Sequence, residues 1–578
     1  MNHGWRKHFQ AVTAAVSSAT LLAGCTTLPG ESSPGVVSSY SNTPAMKEVP
    51  EPTPDNPSDL MLRDFFSASA HPLSNHEAAR KFLTADANKN WQEKNELFIL
   101  DNMEIASEGV SEKDKITYKV RGNLIASVGV GGTYTPLFTG YETTYDLQRE
   151  NGQWRVSNLP GAVIVDRADF TTAYQPRTIY FSDLAGQTLV PDRRWIYTQQ
   201  QSLGASLVSL FVEGPREGLS GAVRSLLPDN ATAQTHDLDG RGISVEFAGI
   251  TGLKPAEREL LAAQVVWMLA AAEVRGPYRI MADGVPLSES VGENWGVDDV
   301  SRFDPRAEAQ TPLRAIIDGN VVNLADDSGA EPINGWINAQ YNESASYAPR
   351  GDLFALVTGR GDQRRTLLMG EANGSPHKAL DANTLTRPAW SANAESLYVV
   401  ADGRQLVRMD LRPDNSAERV DVNMDEVKEL EDDSARISVF RVSRDGARAV
   451  LLINGSVYIA VLKVNEDGRP ALGPLVQVGH QIGDTAISAD WAPEGGLLVG
   501  TRAPDSPLWS VAVDGSSASS IPARNLSAPV VAVAANSTHM YATDARALMQ
   551  LDNSTSDMDF WREVPPVRGQ RAAPILTQ

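Results

Sequence analysis

The sequence predicts a multidomain chain in which two successive α+β regions precede an all-β propeller. Three observations predict it. Residues 60–170 and 177–290 each combine helix-period segments with alternating, strand-period segments. Residues 312–578 repeat one turn-and-strand pattern. The chain has 578 residues, and a single core rarely grows past about 250–300.

Composition narrows the function classes. Lys and Arg number 51 against 72 Asp and Glu, a net charge of −21. Nucleic-acid binding, which needs a basic face toward phosphates, is disfavoured. One cysteine excludes an intramolecular disulfide framework and any cysteine-cluster metal site.

The N-terminus has the form of an export signal over residues 1–24. Arg6 and Lys7 supply a basic start, no further charge occurs before Glu31, and residues 9–23 are mostly apolar or small. The segment ends in Leu22-Ala23-Gly24-Cys25. This tetrapeptide resembles the bacterial lipobox, with the chain's one cysteine at the required place. The resemblance implies S-diacylglycerol and N-acyl modification of Cys25, palmitate among the acyl chains, and cleavage before it. Two or more acyl chains anchor stably where one is marginal. An ordinary signal peptide with a chance cysteine is the alternative. Residues 25–59 then predict a disordered tether, rich in Pro and Ser and without apolar period. Its 34 residues after Cys25 span about 30 Å as a coil and up to about 105 Å extended.

In residues 60–170, Leu60, Leu62, Phe65 and Phe66 suggest a short helix, and residues 77–83 a second. Alternating strands follow at 115–120, 141–147 and 154–157, with Asn151-Gly152 as a hairpin turn. Helices leading into an antiparallel sheet imply an α+β layer. The ending QRENGQWRVSNLP resembles the cone-shaped nuclear-transport-factor-like domains, and implies an α+β cone-like fold. No convergent acid–base set accompanies it, which favours a structural or binding role.

In residues 177–290, strands are expected at 178–182, 207–212, 243–247 and 278–282. A helix starts at Pro255, where the missing N–H is not needed, with Glu257 and Glu259 in its first turn. Leu260, Leu261, Val265, Trp267, Met268 and Leu269 make it apolar nearly all round, hence buried. Gly276-Pro277 ends it and Asp283-Gly284 is a turn. The ordered set Tyr180-Phe181-x-Asp183, Leu189-x-Pro191-x-x-Arg194, Leu207 with Gly214-Pro215, Gly218-Leu219 with Leu226-x-Pro228, and the Gln264-Val-Val helix before Asp283-Gly284 resembles the GerM domain of germination and cell-envelope proteins. That family is a module, so no catalytic residue is implied.

In residues 312–578, five segments begin with a Pro, Asn, Asp or Gly turn and continue as an apolar strand. Their second residues are Pro349, Asn393, Arg444, Pro493 and Asn536, at gaps of 44, 51, 49 and 43. This is propeller-blade spacing and predicts five to six blades. Two stacked sandwiches would explain the strands but not the period. Trp390 and Trp491 precede matching turns and are expected in blade cores.

No constellation carries recognisable chemistry. Beyond the signal, His71, His76, His236, His377, His480 and His539 are scattered. His71 and His76 lack the four-residue spacing of a helical zinc pair. His236-Asp237-x-Asp239-Gly240 is expected to be a polar turn, and Gly359-x-Gly361 a hairpin between blades. Residues 421–433 hold seven acids and one Lys, the composition of a solvated loop. Seven Asn-x-Ser/Thr sequons, including Asn230, Asn342 and Asn373, matter only in a eukaryotic secretory route. No catalytic residue, cofactor or metal is predicted.

The order of lipobox, acidic tether, cone-like domain, GerM-like domain and propeller resembles the actinobacterial LpqB lipoprotein family over essentially the whole chain. The resemblance implies an accessory lipoprotein on the outer face of the cytoplasmic membrane, associated with the sensor kinase MtrB of the MtrAB system and with cell-wall homeostasis and division. Within it, only Cys25 carries a residue-level role. Cell-wall glycan or peptide binding remains an alternative, with a cell-wall hydrolase behind it.

Overall fold

The structure, a computed structural model, describes residues 49–92, 96–240, 242–308, 312–325, 329–349, 352–412, 416–428, 430, 434–553 and 560–577. Leu22, Ala23, Gly24 and Cys25 lie outside the described residues.

The first domain packs helices on one mixed sheet. Helix α1 (Ser58–Ser69) starts slightly before the expected Leu60 and buries Met61, Leu62, Phe65 and Phe66 on one face. The Phe66 ring meets Tyr145 edge-on at 5.1 Å. Helices α2 (Leu73–Arg80) and α3 (Ala85–Asn90) follow. Part of the expected tether sits on this domain: Glu51 pairs with Lys81 at 2.7 Å, and Asn56 Nδ2 donates to Asp64 at 2.9 Å. Strands β1 (Leu97–Glu112), β2 (Lys115–Val128), β3 (Tyr134–Glu150) and β4 (Gln153–Asn158) form an antiparallel meander. Asn151 and Gly152 have φ of 51° and 81°, the left-handed pair of a type I′ turn. The sheet is not wholly antiparallel, because β5 (Val163–Asp166) runs parallel to β1.

No spacer separates the first two domains. Helix α4 (Arg167–Ala173), capped by Asp166 accepting from the Ala168 N–H, runs straight into β6 (Tyr174–Asp183). Strand β6 lies between β7 (Leu189–Tyr197) and β8 (Val223–Arg224).

The largest departure from expectation follows. Residues 207–212 are not a strand but lie in helix α5 (Leu203–Glu213). Ser202 caps its N-terminus, Gly214 at φ 94° ends it, and Leu207, Val208 and Phe211 are buried at helical spacing. A second sheet holds β9 (Thr232–Asp237), β10 (Ile243–Ala248), β11 (Tyr278–Ala282), β12 (Val285–Pro286) and β13 (Asn294–Trp295). Strands β10 and β11 are parallel, joined through α6 (Pro255–Ala271), the mostly buried helix read from its composition. Glu257 accepts from the Lys254 N–H at its start.

The third domain is a β-propeller. Among the described residues it has six sheets of four or five strands. Blades 2 to 6 occupy residues 342–382, 389–421, 437–478, 486–520 and 532–563. Blade 1 combines three strands at 314–332 with the C-terminal strand Ala573–Ile575, which pairs with Arg314–Ile317 and closes the ring. The repeated turns join the first and second strands of blades. Ala394, Gly446 and Gly495 take φ of 61°, 73° and 86° there. Asn393, Asp445 and Asn536 accept backbone N–H groups two residues on, so Asn and Asp recur at these turns for a local reason. Trp390 and Trp491 are buried, and Trp491 Nε1 donates to Arg441 O at 3.0 Å, joining blades 4 and 5. Gly359 and Gly361 lie in the hairpin inside blade 2 rather than between blades, because Leu353–Thr358 pairs directly with Arg365–Glu371. The acidic stretch from Asp421 includes a short helix, Asp425–Lys428, while Val422 and Met424 are buried in blade packing.

Candidate functional site at the three-domain junction

The three domains converge on a buried charge cluster beside β7. Alternation along β7 turns Asp192 and Arg194 inward, and their side chains are 0% and 5% exposed. Arg194 donates to Asp192 Oδ2 through Nε at 3.0 Å and Nη2 at 2.8 Å. Its remaining donors cross domains. Nη1 reaches Gly131 O in the β2–β3 loop at 3.0 Å, and Nη2 reaches Gly214 O after α5 at 3.2 Å. Each nitrogen of the guanidinium thus has a partner, and two of its bonds hold distant chain segments together.

The propeller supplies the other half. Arg448 Nη2 donates to Pro191 O at 2.6 Å, while its Nη1 faces Asp445 at 3.4 Å. Asp514 is almost fully buried, and accepts from Trp195 Nε1 at 3.1 Å beside Arg193 Nε at 3.1 Å. Val464 N–H donates to Gly221 O at 2.9 Å, and Phe138 stacks on His480 at 4.7 Å. Two of these approaches require glycine. A Cβ on Gly132 (φ 76°) would lie 2.3 Å from Trp195 O, and one on Gly221 (φ 77°) would lie 3.1 Å from Val464 O. Gly132→Ala is therefore expected to lift the β2–β3 loop from β7 and cost about 1–3 kcal/mol. Faster hydrogen exchange across residues 189–197 checks this, and unchanged exchange would contradict it.

A cleft of about 540 Å³ opens at this junction. Tyr134 and Pro136 line it from the first domain, Arg194 and Arg216 from the second, Arg448 and Asp514 from the propeller. Arg216 differs from its neighbours. Its backbone N–H donates to Asp192 Oδ2 at 3.1 Å, but its guanidinium has only a 3.5 Å approach of Nε to Asp192 Oδ1. Burial, then the repulsion of Arg448, lower the Arg216 pKa to about 10 against the pull of Asp192 and Asp514.

A second charged group lies among the propeller blades. Arg441 Nε donates to Asp490 at 3.3 Å, and Arg387 Nη1 stands 3.8 Å from the same carboxylate. Arg387 Nε also bonds Ala345 O at 3.0 Å, and Arg441 Nη1 bonds Pro388 O at 3.0 Å. Burial and the neighbouring Arg441 lower the Arg387 pKa to about 9. These bonds join elements of blades 2 to 5 and suit a structural role.

The residues considered for chemistry do not converge. His71 Nδ1 bonds the Tyr197 hydroxyl at 2.6 Å, His76 packs near Trp91, and His480 stacks on Phe138. His236 lies on β9, while His377 and His539 begin propeller strands. Among the described residues, no group of three His, Cys, Asp or Glu side chains is placed to hold a metal. The GerM-like residues Pro191, Arg194 and Gly214 do converge, at the junction. Asp192, Arg216, Arg448 and Asp514 were not singled out by sequence; the alternation of Asp192 with Arg194 on a strand with apolar ends is the one signal that points to them.

Fold and junction together define a three-module protein whose two α+β domains contact the propeller. The family described as lipoprotein LpqB β-propeller domain matches residues 319–577, its N-terminal domain matches 51–171, and the family described as sporulation and spore germination matches 178–288. The lipoprotein LpqB of Corynebacterium jeikeium is 49% identical over 565 residues, 97% of each chain. That of Rhodococcus opacus is 35% identical over 590 residues, 98% of each. The chain belongs to the LpqB lipoprotein family. Among solved structures, the Pseudomonas aeruginosa periplasmic gluconolactonase is 12% identical at a TM-score of 0.31, covering 46% of this chain and 100% of that one.

Proposed function

We propose that this lipoprotein is held by acylated Cys25 on the outer face of the cytoplasmic membrane, binds the extracytoplasmic domain of the sensor kinase MtrB, and biases MtrAB signalling without catalysing a reaction. The observation that carries the reading is the junction. It pins the second domain against propeller turns at 444–448 and 512–517, while the first domain is tied to Arg194 through Gly131 O and stacks Phe138 on His480, so partner contacts on different domains act on one composite surface. The hairpins at the opposite blade ends pair within the propeller, Arg502 with Asp484 and Arg546 with Asp544. Signalling follows if the contact differs between the two states of the kinase.

The test is calorimetric titration of the kinase's extracytoplasmic domain into the full acylated chain in lipid nanodiscs. Saturable binding is expected, with an affinity that changes with salt if the net charge of −21 steers association. Absence of binding at high micromolar concentration, with both proteins folded, would overturn the reading. Cys25→Ala is expected to move the chain from the membrane to the soluble fraction without changing its unfolding midpoint. Cell-wall peptide binding is the second reading, and the junction cleft favours it.

A further inference from the structure

We infer that the junction cleft is a binding site for the C-terminal carboxylate of a short apolar peptide, with Arg216 as the group that holds the acid. The volume, about 540 Å³, falls in the range of pockets that enclose small ligands, roughly 300–1,000 Å³. Its charges are unequally satisfied. All three guanidinium nitrogens of Arg194 are engaged, by Asp192 and two carbonyls. Arg448 is engaged by Asp445 and Pro191 O, and Asp514 by Arg193 and Trp195. Asp192 must serve both Arg194 and Arg216, and gives its closer oxygen to Arg194. Among the described residues, the Arg216 guanidinium makes no hydrogen bond: Nε is buried without a partner and stands 3.5 Å from Asp192 Oδ1, and the side chain is only 16% exposed. A buried guanidinium with two open parallel donors at the cleft wall is matched by a planar carboxylate, which accepts both.

The rest of the lining decides between acids. Glu213 and Glu217 also line the cleft and are exposed. Their charges oppose a dianion such as a phosphate monoester, and a single carboxylate is repelled less. Val130, Pro136, Pro215, Ile459 and Val476 give apolar walls, interrupted by Thr133 and Thr135. Apolar walls broken by hydroxyls and backbone suit peptide side chains and amides better than an unbroken hydrocarbon chain.

The probe is N-acetyl-Leu-Ala with a free carboxylate, compared with the same dipeptide amidated, against the full acylated chain in nanodiscs by saturation-transfer NMR. The acid is expected to bind saturably and the amide at least tenfold more weakly. Arg216→Gln should weaken the acid about tenfold and leave the amide unchanged, while Arg216→Lys restores part of the preference. Equal binding of acid and amide to the unmodified chain overturns the proposal whether or not the variants fold. So does binding of octyl phosphate in preference to the acid, or the absence of binding by any probe.

Discussion

Asp192→Asn is expected to destabilise the chain by about 3–5 kcal/mol, the cost of leaving a buried charge without its partner. The change is nearly isosteric and keeps an oxygen for the Arg194 and Arg216 donors, so it isolates charge from shape. Asp192 is 0% exposed, and the guanidinium groups of Arg194 and Arg216 both lean on it. The loss should appear at β7 and at the contacts Arg194 makes with Gly131 and Gly214. Hydrogen exchange resolved by segment is the suitable readout, because a chain of several domains need not unfold in two states. Adding Arg216→Gln to Asp192→Asn should recover part of the stability, since one uncompensated charge is then gone. Breaking an exposed pair gives the contrast. Arg419 and Asp421 are 42% and 63% exposed at 3.0 Å, and Arg419→Ala should cost at most about 1 kcal/mol. Equal effects at the two sites would refute the assignment of Asp192 as a buried counter-charge.

Much of the fold was legible because it follows from local periodicity. The charge-free run from Leu260 and its Pro255 start mark α6, and the recurring turns of residues 312–578 mark the propeller. The misread segment at 207–212 shows where periodicity runs out. Six apolar or small residues fit a buried strand or a buried helix equally. Its caps, Ser202 and Gly214, lie outside the run and carry the information that separates the two. The junction was less legible for a different reason. Arg194 meets a carbonyl 63 residues before it, and Arg448 meets one 257 residues before it. No spacing rule connects such positions. The motif set marked Pro191, Arg194 and Gly214 as belonging to a module without showing that they face other domains. Arg387, Arg441 and Asp490 were invisible similarly, since their meeting depends on how neighbouring blades close.

Removing residues 572–578 should open the propeller. The strand Ala573–Ile575 is contributed by the chain's end to a blade whose other strands lie at 314–332, so the ring is closed by noncovalent pairing across more than half the third domain. Ile575 and Leu576 are 2% and 8% exposed, and Thr543 Oγ1 donates to Ala572 O at 2.5 Å. Burying two such side chains contributes about 3–6 kcal/mol, before the lost ladder with Arg314–Ile317 is counted. The deletion also uncovers that strand as a free edge, which invites pairing between molecules. Two results are therefore expected together: a lower denaturant midpoint for the propeller, and concentration-dependent association absent from the intact chain. The first domain's core, from Met61 to Ala173, extends only to Tyr174 and Tyr197 of the second domain and includes no propeller residue, so this domain should resist proteolysis longer than the propeller in the same digest. An unchanged midpoint would mean that five blades and the remainder of the sixth hold the ring without the C-terminal strand. The stability of the third domain would then have to reside in the contacts between neighbouring blades, among them Trp491 with Arg441 O and the Asp490 pairs.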